Sequence, residues 1–174
     1  MIGTTAGLIA YAAARGVAIG EDEAPILLTK AGDYLATMCW EGYPYSRQEA
    51  WPRKGLVYDG TPLLDVNGDD ITTVIVDGES VPIEIGDTVD EPATPESVIT
   101  ATYRLAMEVA NGVDLMPTTS GSQVVSESVS GAVSVTYAEG SIGTPLKLVW
   151  LDILIDPWKA CEPTNVVNFP VSRG

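Results

Sequence analysis

Histidine is absent from this sequence. That removes Ser–His and Cys–His nucleophilic arrangements, the commonest zinc ligand, and the side chain that titrates nearest neutrality. Cysteine is nearly absent: Cys39 and Cys161 stand far apart with no CxxC spacing, and they read as two buried, reduced thiols. Basic residues are scarce, 9 against 24 acids, for a formal net charge of −15. Such a surface repels phosphate backbones and disfavours tight nucleic-acid binding. No run approaches the roughly 20 apolar residues of a membrane span, and Met1-Ile2-Gly3-Thr4-Thr5 lacks the basic start of a secretion signal. The expectation is a soluble chain made in the cytoplasm, with no membrane partner.

Phosphate cradles are missing as well, since neither GxxxxGK[ST] nor a GxGxxG opening a helix occurs. Asp65-Val66-Asn67-Gly68-Asp69-Asp70 hints at a calcium loop. The pattern fails, because glycine should hold the sixth place and a carboxylate the twelfth, where Asp70 and Val76 stand. An acidic turn without metal is the better reading. Nothing separates a catalytic carboxylate pair from the many solvated acids. The expectation is therefore no enzyme, with no catalytic residue, no cofactor and no metal.

What is present is enough apolar content, 45%, for one sizeable core, interrupted by 17 glycines and 12 prolines. A first helix is expected over residues 5–14, capped by Thr4 or Thr5 and stopped at Gly16. Glu21-Asp22-Glu23 precedes a second, in which Ile26, Leu27, Ala31, Tyr34, Leu35 and Met38 recur at three- and four-residue steps to about Cys39. A third starts at Thr94-Pro95-Glu96 and ends near Asn111-Gly112. The last follows Thr144-Pro145, with Leu146, Val149, Trp150, Ile153 and Leu154 as its apolar stripe.

Two hairpins interrupt the helices. The β-branched runs 71–76 and 81–85 flank Asp77-Gly78-Glu79-Ser80, inside an acidic insertion at about 57–92. Residues 125–137 alternate Val133, Val135 and Tyr137 with Ser and Thr around Ser130-Gly131. The segment 40–56 holds Trp40, Tyr43, Pro44, Tyr45, Trp51 and Pro52 beside Arg47, Arg53 and Lys54, and reads as an ordered loop over the helices. The architecture expected is mainly α: one domain over 1–174, a small bundle of about four helices with a β-hairpin insertion, a second extended hairpin and a C-terminal arm at 162–174.

Residues 11–16 (YAAARG), 31–35 (AGDYL) and 48–53 (QEAWPR) resemble the N-terminal half of a phage protein family labelled DnaT-like, and Ala50-Trp51-Pro52-Arg53 is the most specific step. Residues 95–110, then 124–137 with Glu127, Gly131 and Tyr137, the helix from Leu146 and the closing Val171-Ser172-Arg173-Gly174 are similar to the rest. The resemblance implies a head–tail adaptor: a structural virion protein of the neck. It would form a homo-oligomeric ring of about twelve copies, meet the portal protein and a tail or tail-tube (nozzle) protein, and let DNA pass through without specific binding. Acidity suits such a conduit. On this reading Val166, Val167, Phe169, Val171 and Arg173 form the portal-contacting arm, and Val133, Val135 and Tyr137 a hairpin contact. Trp51, Pro52 and Arg53 are structural, with Trp51 plugging the helical core and Arg53 paired to an acid. Two alternatives stand beside it. One is a single-stranded DNA-binding replication accessory using Tyr43, Tyr45, Trp51 and the nearby arginines as a stacking platform, against which charge argues. The other is a different minor tail or tail-completion protein.

Overall fold

The computed structural model describes residues 2–47, 49–116, 126–129, 133–136 and 148–160. Helix α1 (Thr5–Ala13) begins where the Thr4 side chain accepts from the Gly7 amide, the N-cap arrangement that satisfies an orphan donor. Helix α2 (Ala24–Ala36) buries Ala24, Leu27, Leu28, Ala31 and Leu35, one face of a 3.6-residue repeat. It stops short of Cys39.

Helix α3 (Glu96–Ala110) is the central element, burying Val98, Ala101, Thr102, Leu105 and Ala106 against α1 and α2. Its buried Thr102 hydroxyl donates to the Val98 carbonyl, so no polar group is orphaned there. Tyr103 ties α3 to the N-terminus by accepting from the Thr4 amide.

Helix α4 (Val149–Ile155) covers another side of α3 and runs into a 3-10 turn, Asp156–Trp158. It buries Leu151 and Ile155, while Val149 and Ile153 are 61% and 74% exposed. The expected stripe is thus out of phase. In a seven-residue helix the anchoring turn sets the rotation: Trp158 is fully buried and donates to Ser97 Oγ.

Between α2 and α3 the chain is extended and turn-rich. Strands β1 (Tyr43–Pro44) and β2 (Arg53–Lys54) pair antiparallel; β3 (Leu56–Val57) and β4 (Leu63–Leu64) follow. A tight hairpin, β5 (Thr73–Val76) and β6 (Glu79–Pro82), comes next. Strand β7 (Thr88–Val89) returns to β3 and β8 (Thr94–Pro95) to β4. The β5–β6 turn has positive φ at both Asp77 and Gly78, the primed geometry that matches strand twist.

A last antiparallel pair, β9 (Ser126–Val129) and β10 (Val133–Thr136), falls within the expected second hairpin. Every pair is a two-stranded sheet. The fold is consequently mixed α/β and not a mainly helical bundle, which corrects the sequence-based expectation. The reason is local: residues 40–95 alternate β-branched pairs with Gly, Pro and Asp, too short for long strands and too broken for helix.

One contiguous core joins the two parts, with Trp51, Leu56, Leu63 and Val89 buried alongside the helix faces. Cys39 departs from expectation: it is exposed and disulfide-bonded, not a buried thiol. The sequence's other cysteine, Cys161, lies outside the described residues. Among the described residues no helix is long and apolar enough to cross a membrane, and none form a metal-ligating cluster.

Candidate nucleic-acid interface

The segment joining α2 to β3 is built around an inward pillar. Trp40 ends the helical region, donating its indole N–H to the Leu35 carbonyl at 2.8 Å. Trp51 is 1% exposed and meets Trp40 edge-on, ring centroids 5.2 Å apart, a favourable aromatic geometry. The Trp51 indole nitrogen is buried without a partner, and the peptide linking Trp51 to Pro52 is cis.

Arg53 turns inward beside them. Its guanidinium donates to the carbonyls of Glu41 at 2.6 Å, Gly42 at 2.7 Å and Ala50 at 3.1 Å. Burial pushes its pKa down, yet the carbonyl cradle satisfies the cation. No carboxylate pairs with Arg53 among the described residues, so the expected acid partner is replaced by backbone. The physical reason is reach: a five-donor fork suits a curled loop whose carbonyls converge.

With Arg53 buried on one side of the ribbon, strand alternation places other residues outside. The register sets Tyr43 opposite Lys54 and Pro44 opposite Arg53. Tyr43 and Tyr45, two residues apart, are 57% and 59% exposed. The Lys54 ammonium lies 5.5 Å from the Tyr45 ring centroid, within cation–π range. Arg47 is exposed at the tip of the same loop. Below it is a depression of about 300 Å³, lined among others by Met38, Pro44 and Arg47.

Gly42 lets the two strands approach. Its φ is +64°, and a Cβ there would stand 2.2 Å from the Lys54 carbonyl oxygen. The Tyr45 amide then donates to the Pro52 carbonyl at 3.0 Å, closing the ribbon. The result is two exposed tyrosines beside the Lys54 cation, with Arg47 at the loop tip, a set that can hold stacked planar groups and neutralise nearby phosphate.

Of the residues singled out in the sequence, Tyr43, Tyr45 and Lys54 come together on this surface, Arg47 stands at the loop tip and lines the depression with Pro44 and Arg53, and Trp51 and Arg53 form the buried support. Trp51, buried in the core, is therefore no part of an exposed aromatic surface, and the exposed aromatics of the ribbon are the two tyrosines. Lys54 beside Tyr45 escaped sequence reasoning as a specific pair; its signal was the count, two of nine basic residues adjacent at Arg53-Lys54. Val166, Val167, Phe169, Val171, Arg173 and Tyr137 lie outside the described residues, and Val133 and Val135 are described only as strand β10.

The family described as "Putative DnaT-like ssDNA binding protein" matches residues 3–81 and 79–174, nearly the whole chain. The chain belongs to this family. The two matched stretches meet at residues 79–81, in strand β6 of the DnaT-like chain's acidic hairpin. Neither a curated protein nor a solved structure matches the chain. The family is described by single-stranded DNA and not by a portal or a tail. This overturns the head–tail adaptor identification, together with the virion connector role, the twelve-copy ring and the portal and tail partners implied with it. Of the segments on which those contacts were placed, residues 162–174 lie outside the described residues, and of 124–137 only the strand pairing of 126–129 with 133–136 is described. The described surface offers aromatic and cationic groups instead.

Proposed function

We propose that this DnaT-like chain binds single-stranded DNA, as a replication accessory without catalytic activity, through the face of the β1–β2 ribbon. The observation that carries the reading is the pair of exposed tyrosines, Tyr43 and Tyr45, with the Lys54 ammonium 5.5 Å from the Tyr45 ring. Tyr45 lies two residues beyond Tyr43, just past the end of β1, so their Cα atoms are at most roughly 7 Å apart, a separation at which successive unpaired bases can stack on the two rings. Each base–aromatic stack contributes about 1–3 kcal/mol and is tolerant of sequence. Lys54 and Arg47 neutralise the strand between them, and the family description supports the ligand class.

The acidic remainder of the molecule keeps affinity low. Two phosphate contacts give a salt slope near −1.4 for single strands, so binding is micromolar and best at low ionic strength. A duplex hides its base faces and loses the stacking contribution. The test is fluorescence anisotropy with labelled oligo-thymidine. The intact chain should bind at low salt, and the Tyr43→Ala/Tyr45→Ala pair should weaken it by at least about tenfold. Absence of binding at low salt, or unchanged binding by the double variant, sinks the reading.

A further inference from the structure

A second surface, independent of the ribbon, lies on the acidic hairpin. The β5–β6 ladder pairs Val74 with Val81 and Val76 with Glu79, and the Ile83 amide donates to the Thr72 carbonyl. In an antiparallel pair the bonded residues alternate, so Thr72, Val74 and Val76 turn their backbone groups toward β6, while Thr73 and Ile75 turn theirs to the outside. Neither Thr73 nor Ile75 makes a backbone bond there among the described residues. The outer edge of β6 is blunted by Pro82, which has no amide to donate. The outer edge of β5 carries no proline and no charge, and its Ile75 side chain is 64% exposed.

That open edge borders a groove of about 280 Å³, lined by Val74 and Ile75 on one side and by Thr88, Val89, Asp90 and Glu91 on the other. Val74 and Val89 are buried, giving an apolar floor, and Asp90 and Glu91 give an acidic rim. Across residues 55–103 the sequence places eleven acids and no lysine or arginine. An unblunted strand edge beside an apolar groove accepts another strand through its backbone, and the charge of the rim selects which strand.

We propose that the β5 edge docks an extended, lysine- or arginine-bearing segment of a partner protein, which adds as a third strand and places its cations against Asp90 and Glu91. This inference does not depend on the DNA-binding reading. The probe is a short labelled peptide of alternating Lys and Val. A second version of the same charge is N-methylated at the residues that would face β5.

The full chain should bind the first peptide, and the methylated version should bind at least about tenfold more weakly. Asp90→Asn with Glu91→Gln should weaken the first peptide too, and oligo-thymidine binding at about 0.15 M salt, where these charges are screened, should stay as it was in these variants. Equal binding of the two peptides would reduce the contact to non-specific charge and overturn the proposal, as would no binding of either. Concentration-dependent self-association that Ile75→Pro abolishes would make the occupant a second copy of the chain, and would likewise overturn it.

Discussion

Arg53 shows how one residue can be functional in its effect without being exposed. Its guanidinium holds the carbonyls of Glu41, Gly42 and Ala50, which fixes the curvature that turns Tyr43 and Tyr45 outward. Arg53→Met should destabilise the fold by about 3 kcal/mol, the scale of a charged hydrogen-bond set lost with its acceptors left buried. Arg53→Lys should recover only part, because an ammonium cannot reach several diverging carbonyls. Urea midpoints for the two variants decide this; equal midpoints would remove the cradle argument. Trp51→Ala should cost about 3–5 kcal/mol for the deleted core volume, and a melting shift near zero would mean that Trp51 serves an interface and not the core.

At the scale of elements, the ribbon and the α4 turn respond to different perturbations. Gly42→Ala forces a side chain into a left-handed backbone and within 2.2 Å of the Lys54 carbonyl oxygen. It should separate β1 from β2, expose the Tyr45 amide to hydrogen exchange and abolish oligo-thymidine binding, while the helical circular dichroism of α1 to α4 persists. Loss of the helical signal instead would show that the ribbon is integral to the helical core.

The α4 junction is sensitive to alkali. Burial works against the Lys159 ammonium, but the carboxylates of Asp152, at 2.6 Å, and Asp156, at 2.9 Å, more than offset it and raise its pKa. Tyr34 is also raised, by burial first and then by the charge of Asp152, with Lys159 opposing. A raised lysine contributes stability below its unfolded value, near 10.4, and loses it as pH climbs through the folded value. A raised tyrosine acts in the same direction, since the unfolded chain ionises first. Urea midpoints should therefore hold through neutrality and fall above about pH 10, with a shallower fall in Lys159→Met. An identical alkaline slope in that variant would exclude the junction as its source.

The elements also show what a sequence displays and what it hides. The N-cap at Thr4, the Leu27, Ala31 and Leu35 part of the α2 face and the Asp77-Gly78 turn were legible because each depends on near neighbours in sequence, whereas Ile26, expected in that face, is exposed and Leu28 is buried in its stead. The rotation of α4 was not, since Val149 and Ile153 are as apolar as Leu151 and Ile155 and only the anchoring of Trp158 chooses between the faces. The inward turn of Arg53 was equally hidden. Carbonyls carry no sequence signature, so an acid seemed the natural partner. Tyr43, Tyr45 and the local cations were legible as a cluster, and the division into exposed tyrosines and buried Trp51 required the strand register.

For the whole molecule the governing quantity is where the charge sits. The net charge of −15 argued against nucleic acid when treated as an average, but eleven of the acids fall in residues 55–103, a span without one basic residue, while Arg47, Arg53 and Lys54 adjoin it. Repulsion between that acidic stretch and a bound strand acts through solvent, where the Debye length is about 8 Å at physiological salt and about 30 Å at 0.01 M. Neutralising Asp69→Asn, Asp70→Asn, Asp77→Asn and Glu79→Gln moves the net charge from −15 to −11, four exposed carboxylates fewer. Oligo-thymidine affinity should then rise severalfold at 0.01 M salt and stay unchanged at about 0.15 M, where screening already hides these charges. Tightening that persists at the higher salt would place the acidic hairpin in contact with the strand and end the picture of two separate poles.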